Sequence, residues 1–246
     1  MPLTNDEILE QWKGKAKRWN IIWILESVFL ISFQVFLELG PELDYGTYLR
    51  MSTTFLVLTW LFLFISTSLQ TDGHDYYKHV LSAIGRWRIH EKQNRKSQIY
   101  FFLFSLSYFF MMTYMAHYFT HHFSDIPLGI NLKRAGYALY VECFFGLLMG
   151  SIPLDVERPK HLFVTFSAFV CLMAGSLLIF VCAVNDLIHW AVITTTSLQL
   201  FASLGYIYGY LSGSYPGILQ KMSILGSSIS VYVAFLVYNP NSIFLV

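Results

Sequence analysis

The chain has 246 residues, of which 55% are hydrophobic, 18% aromatic and only 13% charged, with a mean hydropathy of +0.51 and a net charge of +1. Soluble domains carry roughly a quarter charged residues, so this composition excludes an ordinary soluble fold and points to the membrane class. With 16 Lys and Arg against 15 Asp and Glu there is no basic excess to suggest a nucleic-acid partner.

Residues 1–20 are polar and helix-like, without the basic, apolar and small-residue order of a cleaved signal peptide. The first apolar stretch is therefore expected to act as the insertion signal. A spanning helix needs about 20 predominantly apolar residues, because the hydrocarbon core is about 30 Å thick and a helix rises about 1.5 Å per residue. Seven stretches qualify: Ile21–Leu39, Met51–Leu69, Ile99–Phe119, Ala135–Pro153, Leu162–Val184, Trp190–Leu211 and Gly217–Tyr238. Each must be helical, since lipid offers no partner to an unpaired backbone N–H or C=O. The expected fold is all-α: a polytopic membrane bundle of about seven transmembrane helices, forming one domain over 1–246.

Basic residues near helix ends are retained on the cytoplasmic side. An inward N-terminus puts thirteen of the 16 Lys and Arg inside, leaving only Arg50, Lys133 and Arg134 outside. The inner set runs through the tail (Lys13, Lys15, Lys17, Arg18) and the 70–98 loop, then takes in Arg158, Lys160 and Lys221. Seven spans then place the C-terminus outside. Within the 70–98 loop, Tyr76, Tyr77, Val80, Leu81, Ile84 and Trp87 recur at near-helical spacing beside Lys78, Arg86 and Arg88. That pattern predicts a basic amphipathic helix on the inner membrane surface, with a solvated, orientation-setting loop as the alternative.

Ionisable groups inside a span cost several kcal/mol unless paired or wetted, so each marks a candidate site. Glu26 lies about one turn into the first span, with Gln34 two turns later on nearly the same face, and Glu142 sits mid-span in YALYVECFFGLL. No basic residue matches either carboxyl in depth, so both are expected as protonated acids, bonded to a neighbouring helix or acting as a ligand or proton site. The sixth span carries Thr194, Thr195, Thr196, Ser197 and Gln199, and the seventh Ser223, Gly226, Ser227, Ser228 and Ser230. Such residues let helices approach closely and hydrogen-bond, and the alternative is a polar cavity between the two spans. Cys143, Cys171 and Cys182 lie in apolar stretches without metal-binding spacing and are expected as structural thiols.

HYFTHHFSD places His117 and His121 one turn apart, with His122 next, and imidazoles at i and i+4 can share a metal. With His74 and His79 the pattern resembles the histidine boxes of membrane di-iron desaturases and hydroxylases. The two groups, however, fall on opposite faces about 30 Å apart, and the remaining boxes are missing. An interfacial His/Tyr belt is the plainer expectation. No GxSxG, Walker A or HExxH motif occurs, which lowers the expectation of an enzyme.

The inward N-terminus, outward C-terminus and seven spans resemble the inverted topology of the heliorhodopsins. FSLSYFF in the third span is similar to that family's EYSLSSS, GTYL occurs in the outer loop, and MSILGSSISVYVAF in the seventh resembles LSLVAKSALAWQIF. The family's first-helix His would fall near Glu26. Ser227 stands where the family has its retinal-linking Lys, and Leu103 where it has the counterion Glu. Without that amine no Schiff base forms, so the resemblance implies a bundle, dimerisation and a pocket for a non-covalent lipid or isoprenoid, not a covalent retinal cofactor.

The sequence thus suggests a non-enzymatic membrane protein acting as a sensor, small-ligand or lipid binder or permeation pathway. Glu26, Gln34, Glu142, Gln199 and Ser227 are its candidate ligand or proton groups. The alternatives are an accessory subunit of a larger, energy-converting membrane complex, and a metal-dependent enzyme using His117, His121 and His122. Partners are the lipid bilayer and a second copy or a larger assembly.

Overall fold

A computed structural model describes residues 5–70, 88–89, 92–123, 129–151, 158–186, 190–212 and 217–239, with side chains in the first helix from Asn20 onward. Among these residues there are seven helices: α1 Asn5–Leu39, α2 Tyr45–Ser68, α3 Arg95–His121, α4 Gly129–Ser151, α5 Arg158–Asp186, α6 Trp190–Leu211 and α7 Gly217–Val237. The only sheet among the described residues is a two-residue antiparallel pair, β1 Arg88–Ile89 and β2 Lys92–Gln93, with Arg88 opposite Gln93 and Ile89 opposite Lys92. The amphipathic helix expected before it falls on residues 71–87, which lie outside the described residues.

Among the described residues, five helical stretches are long and apolar enough to cross a membrane: Asn20–Leu39, Tyr45–Ser68, Arg95–His121, Pro159–Asn185 and Gly217–Val237. α4 and α6, at 23 and 22 residues, are of comparable length. Lys133, Arg134 and Glu142 dilute the apolar content of α4, and the Thr194–Gln199 run that of α6.

Helices α1 to α5 all begin earlier than the apolar pattern suggests, and at α2 and α3 the cause is visible. α2 starts at Tyr45 because Asp44, in extended backbone, caps it: its carboxylate accepts from the Thr47 amide at 2.9 Å and the Thr47 hydroxyl at 2.6 Å. These donors hold the exposed Asp44 carboxyl below its ordinary pKa. α3 starts at Arg95, where Ser97 is clamped to α2: the Ser66 hydroxyl donates to the Ser97 carbonyl at 2.6 Å and the Ser97 hydroxyl to the Ser66 carbonyl at 2.8 Å. Polar caps and clamps are invisible to a search for apolar runs.

α3 is the axis of the bundle, with every residue from Met111 to Thr120 buried. α2 and α4 pack on either side of it, α5 on α4, α6 between α5 and α7, and α7 returns to α3. The α3–α4 approach depends on missing side chains. A Cβ on Gly136 would lie 2.8 Å from the Ala116 carbonyl oxygen, and one on Gly150 would collide with the Ser105 side chain. α6 and α7 are stitched by a 2.5 Å Ser203–Ser223 hydroxyl contact, beside Gly226, which faces Gln199. α1 has few neighbours and packs chiefly on α4.

The outer surface carries large apolar side chains, including Phe36, Phe64, Phe166 and Phe201, each at least 67% exposed. An apolar exterior of this extent marks a membrane or protein contact surface rather than a water-facing one.

Candidate functional site

Glu142 is 3% exposed in the bundle core. The Tyr108 hydroxyl on α3 lies 3.1 Å from Glu142 Oε1 on α4 and 3.1 Å from Ser227 Oγ on α7, and Ser227 donates to the Ile224 carbonyl at 2.6 Å. One phenol thereby ties three helices together. Glu142 Oε2 is buried without a hydrogen-bond partner, beside a cavity of about 20 Å³ lined in part by Ser105, Tyr108 and Thr165. A cavity of that size holds about one water.

The α1 candidates stand apart from this node. Gln34 Nε2 donates to the Tyr140 carbonyl at 3.2 Å and contacts Cys143 Sγ at 3.5 Å, fixing α1 against α4. Two turns back, both Glu26 carboxyl oxygens and Trp23 Nε1 are buried with no hydrogen-bond partner. The Ser151 hydroxyl interacts electrostatically with Glu26 but donates to the Leu148 carbonyl at 3.0 Å. Lys160 lies 5.9 Å from the Trp23 ring centroid and donates to Asn20 Oδ1 at 2.6 Å.

At the other end of α1, the metal-donor arrangement differs from the sequence pattern. His117 and His121 gather with Glu38, their donor atoms all within 4.8 Å of one another, whereas His122 turns away to pack on Tyr118, ring centroids 4.6 Å apart. His117 uses both ring nitrogens: Nε2 contacts the Leu37 carbonyl at 3.0 Å and Nδ1 the Tyr48 hydroxyl. Nε2 must then be the donor and Nδ1 the acceptor, so a metal there has to displace the carbonyl or the phenol. His121 pairs with Glu38 at 2.8 Å. Burial holds the His122 imidazole below its ordinary pKa, with His121 adding to the shift and Glu42 opposing it. Cys143 and Cys182 are buried and Cys171 half-buried, none of them in a disulfide.

A larger concavity lies elsewhere. α2 and α7 meet at one end, where the Thr53 and Tyr232 hydroxyls lie 2.7 Å apart and the Tyr45 and Phe235 rings stack at 5.3 Å. Toward the C-terminus of α2 and the N-terminus of α7 they enclose with α6 a cleft of about 550 Å³. Its walls are Trp60, Leu63, Phe64 and Thr67 from α2, Thr195, Leu198 and Gln199 from α6, and Ile218, Lys221, Met222, Leu225, Gly226 and Ile229 from α7. That volume is typical of small-molecule sites, and the lining is mostly apolar with a few polar groups.

Gln199 is 1% exposed; its Nε2 donates to Ser203 Oγ at 3.2 Å and its Oε1 has no partner. Lys221, assigned from the sequence to the inner loop side, sits one turn inside α7, 5% exposed.

Of the five sequence-derived candidates, Glu142 and Ser227 are brought together, Gln199 lines the cleft, and Gln34 and Glu26 face α4 separately. Tyr108, Lys221 and the α2 wall were not singled out from the sequence. Tyr108 lies inside FSLSYFF, and a lysine four residues into an apolar helix was the available signal for Lys221. No family model matches the chain, and no curated protein or solved structure is significantly similar to it.

Proposed function

We propose that this chain is a non-enzymatic, seven-span integral membrane protein, N-terminus inside and C-terminus outside, that binds a membrane-resident apolar ligand in the cleft between α2, α6 and α7. The observation that carries it is the cleft itself: about 550 Å³, mostly apolar walls, and a polar minority of Thr67, Thr195, Gln199 and Lys221. The five span candidates set the ligand's solvent, because a site walled by membrane helices draws its occupant from the bilayer. The heliorhodopsin-like arrangement of segments supports the same reading, a bundle holding a non-covalent lipid or isoprenoid. Ser227, at the retinal-lysine position, is engaged with Tyr108 instead.

Native mass spectrometry of gently extracted protein tests it. Wild type is expected to carry a defined extra mass, and Gly226→Leu to lose it, because the added Cβ already meets Gln199 at 3.7 Å and a longer side chain must enter the cleft. Wild-type protein with no bound mass overturns the proposal.

A second reading, an accessory subunit of a larger complex, draws on α1, whose window Asn20–Leu39 is only 11% buried within the chain. Recovery solely within a larger assembly after mild extraction favours it.

A further inference from the structure

Three contacts meet at the Tyr108 node: its hydroxyl with Glu142 Oε1 at 3.1 Å, the same hydroxyl with Ser227 Oγ at 3.1 Å, and Ser227 with the Ile224 carbonyl at 2.6 Å. Every hydrogen bond needs one proton, and each hydroxyl supplies one. A carbonyl only accepts, so the Ser227 proton is committed to Ile224. Tyr108 must then donate to Ser227, which leaves the phenol oxygen to accept. The proton of the remaining contact has to come from Glu142 itself. An ionised carboxylate has none to give: two hydroxyl protons would have to serve all three contacts.

The surroundings of Glu142 suit a neutral acid. Its second oxygen, Oε2, is buried without a hydrogen-bond partner. Burying an uncompensated carboxylate costs far more than burying an uncompensated carbonyl, so Oε2 fits the C=O of an acid. The titratable groups in electrostatic reach are Tyr108 from α3, Cys143 beside it on α4 and Cys171 from α5, and none is a cation. Among the described residues lining the adjoining cavity there is no Lys, Arg or His, and α7 contributes Ile224 to that wall.

We infer that Glu142 is a proton-binding site: it stands as a carboxylic acid whose Oε1–H donates to Tyr108, heading a one-way chain of hydrogen bonds through Ser227 to the Ile224 carbonyl. The bound proton lets α3 hold α4 and α7 at once, because without it the single proton of Tyr108 can serve Glu142 or Ser227 but not both. The site stands apart from the α2–α6–α7 cleft and does not depend on that cleft holding a ligand.

Infrared absorption of the full chain in nanodiscs at neutral pH tests this, because the C=O stretch of a carboxylic acid is separate from the carboxylate bands. Glu26→Gln is the reference protein, since Glu26 is the other carboxyl placed away from the ends of a span. It is expected to keep a carboxylic-acid band, and combining it with Glu142→Gln should abolish that band. Adding Tyr108→Phe to the reference instead should keep the band and move it to higher frequency, as the acid O–H loses its acceptor. Wild-type protein with no acid band overturns the inference whatever the variants do. A band that survives removal of both Glu26 and Glu142 overturns the assignment to Glu142. A band that Tyr108→Phe leaves unmoved overturns the direction of the chain.

Discussion

Tyr108 is the residue on which the core node turns. Its hydroxyl reaches Glu142 and Ser227 at once, so three helices depend on one phenol. Hydrogen bonds inside membranes are modest, averaging about 0.6 kcal/mol and reaching about 1.7, because the unfolded chain in lipid also finds partners. Removing the hydroxyl leaves the Glu142 carboxyl with neither oxygen paired to a side chain. Tyr108→Phe is therefore expected to cost about 1–2 kcal/mol, within the range for orphaning a buried polar group. Glu142→Gln keeps a carbonyl oxygen for the phenol and should cost less. Reversible unfolding in detergent or bicelles measures both, and a neutral Tyr108→Phe would remove the node from the stability argument. At this scale the sequence marked Glu142 and Ser227 through their polarity at depth. It did not mark the residue joining them, because a tyrosine in an aromatic run of a protein with 16 tyrosines and 22 phenylalanines carries no distinguishing signal.

Between α3 and α4 the governing feature is the absence of side chains. Gly136 sits against the Ala116 carbonyl and Thr120, and the carbonyl is backbone that cannot rotate away. Gly136→Ala should therefore force the helices apart and destabilise the fold by about 1–3 kcal/mol, the usual cost of overpacking. Gly146→Ala, where the new Cβ finds its nearest neighbour at 3.5 Å, is the matched control and should be close to neutral. Thermal unfolding of the two variants side by side checks this; Gly→Ala raises helix propensity at both sites, so equal stabilities would mean that close approach at Gly136 does not decide. Helix existence was legible in the sequence, since the span candidates among α1, α2, α3, α5 and α7 all fall on predicted apolar stretches. Helix starts were less so: Asp44 and Ser97 extend α2 and α3 into polar sequence, where capping and interhelical hydrogen bonds stabilise turns that hydropathy does not register.

For the whole molecule, the segregation of Lys and Arg predicts that the N-terminus faces the cytoplasm and the C-terminus the opposite side. Tags at the two ends, probed for protease or antibody access in sealed inside-out and right-side-out vesicles, should respond in opposite preparations. Protection of both tags in the same preparation would make the span count even and remove the seven-span topology. Composition, apolar run lengths and charge placement are properties of the chain read one residue at a time. They sufficed for membrane class and for a helical bundle, because lipid imposes the same backbone cost on any sequence, and the orientation they predict is what the tags test. Which polar groups meet depended on how the helices pack. Glu142 reaching Ser227 through Tyr108, Glu38 rather than His122 joining His117 and His121, and Lys221 lining a cleft all join side chains far apart in sequence. Only the tertiary structure decided them, because each pairing is set by the rotation and splay of whole helices, which hydropathy and spacing within a single helix do not encode.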